Sequence, residues 1–172
     1  AEGGGGLLNL SDKVGLVYAT STSVVKFARS TNSGLTFTNV TINPGSTGDV
    51  TQAFPVVADG GAGNLYAVWT KIENGRSQVM YADSTDFGAS WRHVKALVTS
   101  GTSIYPWVAA KGTKVAVSLF HTAAIGEPSS VQGATWYESE LQSVDAGATF
   151  TALQTVHPLP VKTGPICTGG IN

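Results

Sequence analysis

The sequence predicts an all-β protein, a β-propeller of which three four-stranded blades are present. Three observations carry that prediction. An eight-residue pattern, Ser-x-Asp/Asn-x-Gly-x-Ser/Thr-aromatic, occurs at 30–37, 84–91 and 143–150. Its copies start 54 and 59 residues apart, the period of a four-stranded repeat unit. Between them run short alternating, β-branched segments, the mark of strands. By average residue usage one such match arises at on the order of a few positions in a million, so three in 172 residues are a repeat.

The elements follow in order. Residues 1–12 include four consecutive glycines, Gly3 to Gly6, and read as a flexible lead or the remnant of a first blade strand, faint at 7–10. Blade 1 is 13–42. KVGLVYA at 13–19 and SVVKFA at 23–28 are strands, the first eight-residue pattern follows, and 38–42 is the last strand. A polar loop with Pro and Gly, 43–52, leads to blade 2 at 53–98. There 54–58, 65–71, 77–82 and 93–98 are the strands, with turns at 59–64 and 73–76. Pro55 fits a strand start, where its missing N–H costs little. Blade 3, 105–156, repeats this order: YPWVAA mirrors FPVVA, and KVAVSLFH mirrors LYAVWTK. An insertion at 122–132 replaces the tight second turn, and 151–156 is the last strand. Residues 157–172 read as the start of a further blade or a tail.

Each pattern joins two strand-like runs, so it predicts a structural corner. The third residue, Asn32, Asp86 or Asp145, can accept backbone N–H groups two or three residues on and close the turn. Gly34, Gly88 and Gly147 suit a backbone at positive φ. Ser30, Ser84 and Ser143 open the pattern, the hydroxyl at the seventh position can tie the turn to the strand end, and Phe37, Trp91 and Phe150 are apolar pegs. One carboxylate per copy is too few for calcium, which takes six to eight oxygens.

This pattern resembles the Asp-box, or bacterial neuraminidase repeat, of sialidase-like β-propellers. The copies at 84 and 143 match every defined position, and the copy at 30 departs at Asn32, which keeps an acceptor and loses the charge. The resemblance implies that each box joins the third and fourth strands of a blade, on the side away from any active site. It also implies six blades in a full ring, so the chain reads as half of one. A second copy, a separate chain or further residues would complete it. The family spans sialidases, other glycosidases and proteins without catalysis.

Composition narrows the partners. A net charge of −1, with only 10 lysines and arginines in no cluster, argues against nucleic acid. No apolar run reaches the ~18 residues of a helical membrane span. The lead Ala1-Glu2-Gly3 is not a signal peptide, although a processed chain would look the same. Low charge with abundant Ser, Thr and Gly suits a secreted or cell-surface protein, and the tripeptides starting at Asn9 and Asn39 fit N-glycosylation. Cys167 has no second cysteine in the chain for an internal disulfide. His93, His121 and His157 lie in three different repeats, with no zinc spacing, so neither a metal nor a cofactor is expected.

On the face opposite the corners, the candidate loops are 43–53, 72–76, 99–104, 122–133 and the segment after Val156. Asp49, Glu73, Arg76 and Glu127 are the candidate catalytic residues there. Gln52, Tyr105, Trp107 and His121 are the candidate binding residues, whose aromatic faces could stack on sugars, although Trp69 reads as core. A sialidase would want three arginines on a carboxylate, and Arg29 and Arg92 flank corners on the wrong side. No sequence spacing singles out a carboxylate pair for glycoside hydrolysis. The expected function is therefore extracellular binding of a glycan or protein ligand. The alternatives are part of an exo-glycosidase of sialidase type completed by further blades, and a scaffold holding a partner through open blade edges.

Overall fold

The structure, a computed structural model, describes residues 7–10 and 12–168, with side chains from 12 onward. The glycines of the expected lead lie outside the described residues. Three antiparallel sheets follow one another, with no helix among the described residues. Blade 1 is β1 (Leu7–Leu10), β2 (Lys13–Ser21), β3 (Val24–Ser30) and β4 (Thr38–Thr41). Blade 2 is β5 (Val56–Gly61), β6 (Asn64–Glu73), β7 (Arg76–Ser84) and β8 (Arg92–Ala96). Blade 3 is β9 (Thr102–Lys111), β10 (Lys114–Thr122), β11 (Thr135–Ser143) and β12 (Gln154–Thr155). The first strands neighbour one another, β5 touching both β1 and β9, as in blades set around an axis.

Burial follows from position in the stack. Blade 2 lies between two others, so six consecutive residues of β6 are buried. Leu65, Ala67 and Trp69 join Val17, Val25 and Phe27 of blade 1. Tyr66 and Val68 join Val115, Val117 and Leu119 of blade 3. That is why LYAVWTK reads as a continuous apolar run. A third, smaller cluster of Ile104, Val131, Ala134, Trp136 and Ile166 lies under the 122–134 insertion.

Most strand limits shift by one to three residues from the sequence reading, β5 for example running from Val56 and not from 54, and blade 3 departs furthest. β9 begins at Thr102, before the expected 105, because Pro106 sits at a bulge where the pairing with β10 shifts and Tyr105 has φ of 53°. The last strand of blade 3 is only two residues, Gln154–Thr155. The chain then bows out over 157–160 and returns, β13 (Lys162–Thr163) pairing with Thr135 and Trp136 of β11. Part of the segment read as a further blade or a tail thus supplies edge pairing to the third sheet.

The three corners share one hydrogen-bond scheme. In the second, Ser84 Oγ donates to Asp86 Oδ1 (2.7 Å) and accepts from Gly88 N (2.8 Å). Asp86 Oδ1 also accepts from Ser90 N (2.9 Å), and Oδ2 accepts from Ser90 Oγ (2.6 Å). Asp145 repeats this with Thr149 and Ser143. Asn32 repeats it with its amide donating to Thr36 Oγ1. The fourth and fifth residues are both left-handed: Phe87 and Gly88 at 56° and 73°, Ala146 and Gly147 at 58° and 80°. Each corner is also tied to its own blade's first hairpin, through Ser33 N to Asp12 O, Phe87 N to Gly63 O and Ala146 N to Thr113 O.

The corners also lock blade to blade. A Cβ on Gly88 would lie 2.3 Å from the Phe27 ring, and one on Gly147 1.6 Å from Tyr81 Oη. Lys95 Nζ donates to Gly147 O and Ala148 O (2.8 and 2.7 Å), and Arg29 Nε donates to Phe87 O (3.0 Å). Overpacking and left-handed strain combine at Gly147, so Gly147→Ala is expected to cost about 3 kcal/mol or more. A Tm within a degree of the parent's in thermal melts would contradict it.

Burial pulls the Asp86 carboxyl upward, but hydrogen bonds from Ser90 and Ser84 outweigh it and bring it to about 2. Bonds from Thr149 and Ser143 bring Asp145 to about 2 as well. Both folded values lie below the ordinary 3.8. Their stabilisation is therefore complete above that range and is lost as pH falls toward about 2. Replacing both by Asn, which copies the Asn32 corner, is expected to flatten the fall in Tm across this window. An unchanged slope would show that other groups govern acid unfolding.

Candidate functional site

On the face away from the corners, residues from four parts of the chain line one cleft of about 320 Å3. Asp49 and Gln52 come from the loop between β4 and β5, and Glu73, Asn74 and Gly75 from the β6–β7 turn. Glu127 and Ser129 come from the 122–134 insertion, and Thr168 from the C-terminal segment. Asn74 and Gly75 carry the turn at φ of 53° and 69°, which holds Glu73 at the rim. The first loop is fixed to that turn by paired bonds, Asp49 N to Ile72 O and Ile72 N to Asp49 O, both 2.7 Å.

Electrostatics set the acidic groups as anions. Burial raises the Asp49 carboxyl, but Thr51 N and Oγ1 (2.8 and 2.7 Å) and Gln52 Nε2 (3.0 Å) outweigh that, for a net lowering. Lys71 Nζ, 2.8 Å from Glu73 Oε2, and the Thr47 hydroxyl hold Glu73 below its ordinary value. Beside them Arg76, the register partner of Glu73, has Nε and Nη2 buried with no partner among the described residues.

Of the residues picked from sequence, Asp49, Gln52, Glu73 and Glu127 meet in this cleft and Arg76 stands next to it. His121 lies behind, its Nδ1 3.0 Å from Ser103 Oγ, half-buried and shifted downward by burial and by the Arg76 cation. Tyr105 donates to Cys167 O (2.5 Å) and packs edge-on against Phe120. Trp107 is outside the cleft, mid-strand opposite Ser118 and 66% exposed on the outer face of blade 3. Trp69 is core. Sequence reasoning missed Ser129 and Thr168, which no motif marks.

A larger cavity, about 630 Å3, opens on the corner side between blades 1 and 2. Its cations are committed to structure: Lys13 and Arg29 lie over the Phe87 ring at 5.4 and 5.9 Å, and Arg29 also bonds Phe87 O. The smaller cleft, with acceptors converging and a guanidinium unpaired beside it, is the better candidate.

No protein-family model and no curated protein matches the sequence. Solved structures do resemble it. An α-L-arabinofuranosidase, Arb93A, of Fusarium graminearum superposes with TM-score 0.62 at 12% identity, covering 90% of this chain and 48% of that one. An α-L-arabinanase of Penicillium chrysogenum gives 0.60 at 12% identity, covering 93% and 50%. NanB sialidase of Streptococcus pneumoniae gives 0.51 at 17% identity, covering 82% and 23%. The fold is that of propeller glycosidases. The chain spans about half the length of the first two structures, so the propeller-glycosidase likeness concerns three blades only.

Arg76 is expected to control the titration of His121. Replacing it with Gln removes a cation that holds the imidazole down. The His121 midpoint, followed by NMR, should rise in Arg76→Gln. A midpoint that stays or falls would place the guanidinium away from the ring.

Proposed function

We propose that the chain supplies part of a carbohydrate-binding cleft on the face away from the corners. The observation that carries this is the meeting of Asp49, Gln52, Glu73 and Glu127 from separate loops, in a fold shared with glycoside hydrolases. Sugar hydroxyls are donors, and carboxylates held as anions are strong acceptors for them. Gln52 and Asn74 bring both donors and acceptors, and Arg76 adds buried N–H groups alongside. The corners are read as Asp-boxes, and the chain as a segment of a sialidase-like propeller acting in a secreted or cell-surface setting. A glycan, free or displayed on a protein, is the ligand.

Hydrolysis is the second reading, favoured by the arabinofuranosidase, arabinanase and sialidase among the structural neighbours. It needs a proton donor and a second carboxylate. Asp49 and Glu73 are both set to stay ionised, which suits a base or nucleophile. The acid then has to come from Glu127 or from blades beyond these three.

Titration calorimetry with arabinobiose and with sialyl-lactose is the test. One of them is expected to bind, with affinity falling roughly 10- to 100-fold in Asp49→Asn or Glu73→Gln. The reading fails if neither sugar binds and a glycan array stays blank, or if the variants bind as the parent does. Turnover of a fluorogenic arabinoside or sialoside by this chain would favour hydrolysis.

A further inference from the structure

Each blade contact uses one device, and its two exceptions match each other. The residue three before the corner serine points to the next blade: Phe27 in blade 1, Tyr81 in blade 2, Glu140 in blade 3. Their cross-strand partners are Val17, Val68 and Ser118, so the three positions are equivalent. Phe27 and Tyr81 fill the space over Gly88 and Gly147, and Trp91 and Phe150 close on them edge-on at 5.4 and 5.0 Å. Glu140 has no neighbouring blade to fill among the described residues, and its carboxylate accepts from Gln142 Nε2 of its own strand at 3.0 Å. Glu138 and Ser118 stand where the other blades have Val25 or Val79 and Val17 or Val68.

The first corner is the complementary exception. Among the described residues nothing comes closer than 3.9 Å to a Cβ built on Gly34, and Phe37 is 49% exposed while Trp91 and Phe150 are half-buried. This is also the corner with Asn32 in place of Asp86 or Asp145. The difference matters to an entering group. Burial, Asp83 and, more weakly, the Asp145 corner push the Tyr81 hydroxyl's ionisation upward, so Tyr81 feels that carboxylate. A carboxylate entering there would be repelled by Asp and accepted by Asn. On the same backward face of blade 1, Lys26 stands opposite Tyr18, where Met80 and Ser139 stand opposite Trp69 and Leu119.

We propose that the outer face of blade 3 docks on the first corner of a second copy of this chain, Glu140 entering beside Asn32 with Lys26 nearby. Two copies then close head to tail, each supplying three blades of a six-bladed ring. A twofold axis makes both junctions identical and leaves no open end. This stands independently of the carbohydrate reading, since it concerns blade faces and not the cleft.

Light scattering on the 172-residue chain should give twice 17.7 kDa. Asn32→Asp, which only recreates the corner of the other blades, should weaken the dimer at least about ten-fold by like charge. Adding Glu140→Tyr should restore it, because this rebuilds the Tyr81–Asp145 arrangement. Circular dichroism melts confirm that each variant is folded. A monomer at millimolar concentration, an open polymer, or a dimer indifferent to Asn32→Asp would overturn the proposal.

Discussion

A side-chain oxygen that captures its own backbone is the constraint on which this fold rests. In each corner the third residue accepts the N–H of the residue four positions on and bonds its hydroxyl, Asp86 and Asp145 accepting from it and Asn32 donating to it, while the opening serine accepts the N–H of the glycine. Those bonds hold two successive left-handed residues, which cost energy and do not persist alone. In the second and third corners the turn presents a bare glycine to the neighbouring blade, and the neighbour's aromatic ring occupies the space a side chain would need. Local turn chemistry and long-range packing are therefore one device.

The two faces of the stack divide the chain's few charges. Arg29 and Lys95 are spent on carbonyls of neighbouring corners, with aromatic rings beneath. Arg92 pairs with buried Asp83 at 2.5 Å. Arg76 lies at the other end of its strand, beside the acidic cleft. With one charged residue in eight, this partition gives the corner side structural cations and the opposite side accessible carboxylates.

The architecture was legible because the corner is written in contiguous residues at a fixed interval. The four-stranded units follow from that interval and from strand alternation. Less legible was the left-handed backbone at Ser33, Phe87 and Ala146, since none of these residue types announces positive φ. The Tyr105 bulge was hidden for the same reason, and it displaced the start of β9. Loop position was enough to gather Asp49, Gln52, Glu73 and Glu127, but Thr168 reaches the cleft only because the C-terminal segment runs back along blade 3. Trp107 stands apart from that cleft because the bulge absorbs Pro106 within β9 and leaves the indole on the outer face of blade 3.

The 122–134 insertion has its own small hydrophobic cluster, centred on Trp136 and Ile104 and separate from the two cores between blades. Thr102 Oγ1, donating to Ala124 O, and Ile166 N, donating to Pro128 O, anchor it from either side. Such a segment behaves as a cassette. It contributes Glu127 and Ser129 to the cleft wall, yet its length and composition can drift without disturbing blade stacking. The shape of that wall is thus decoupled from the packing that joins one blade to the next.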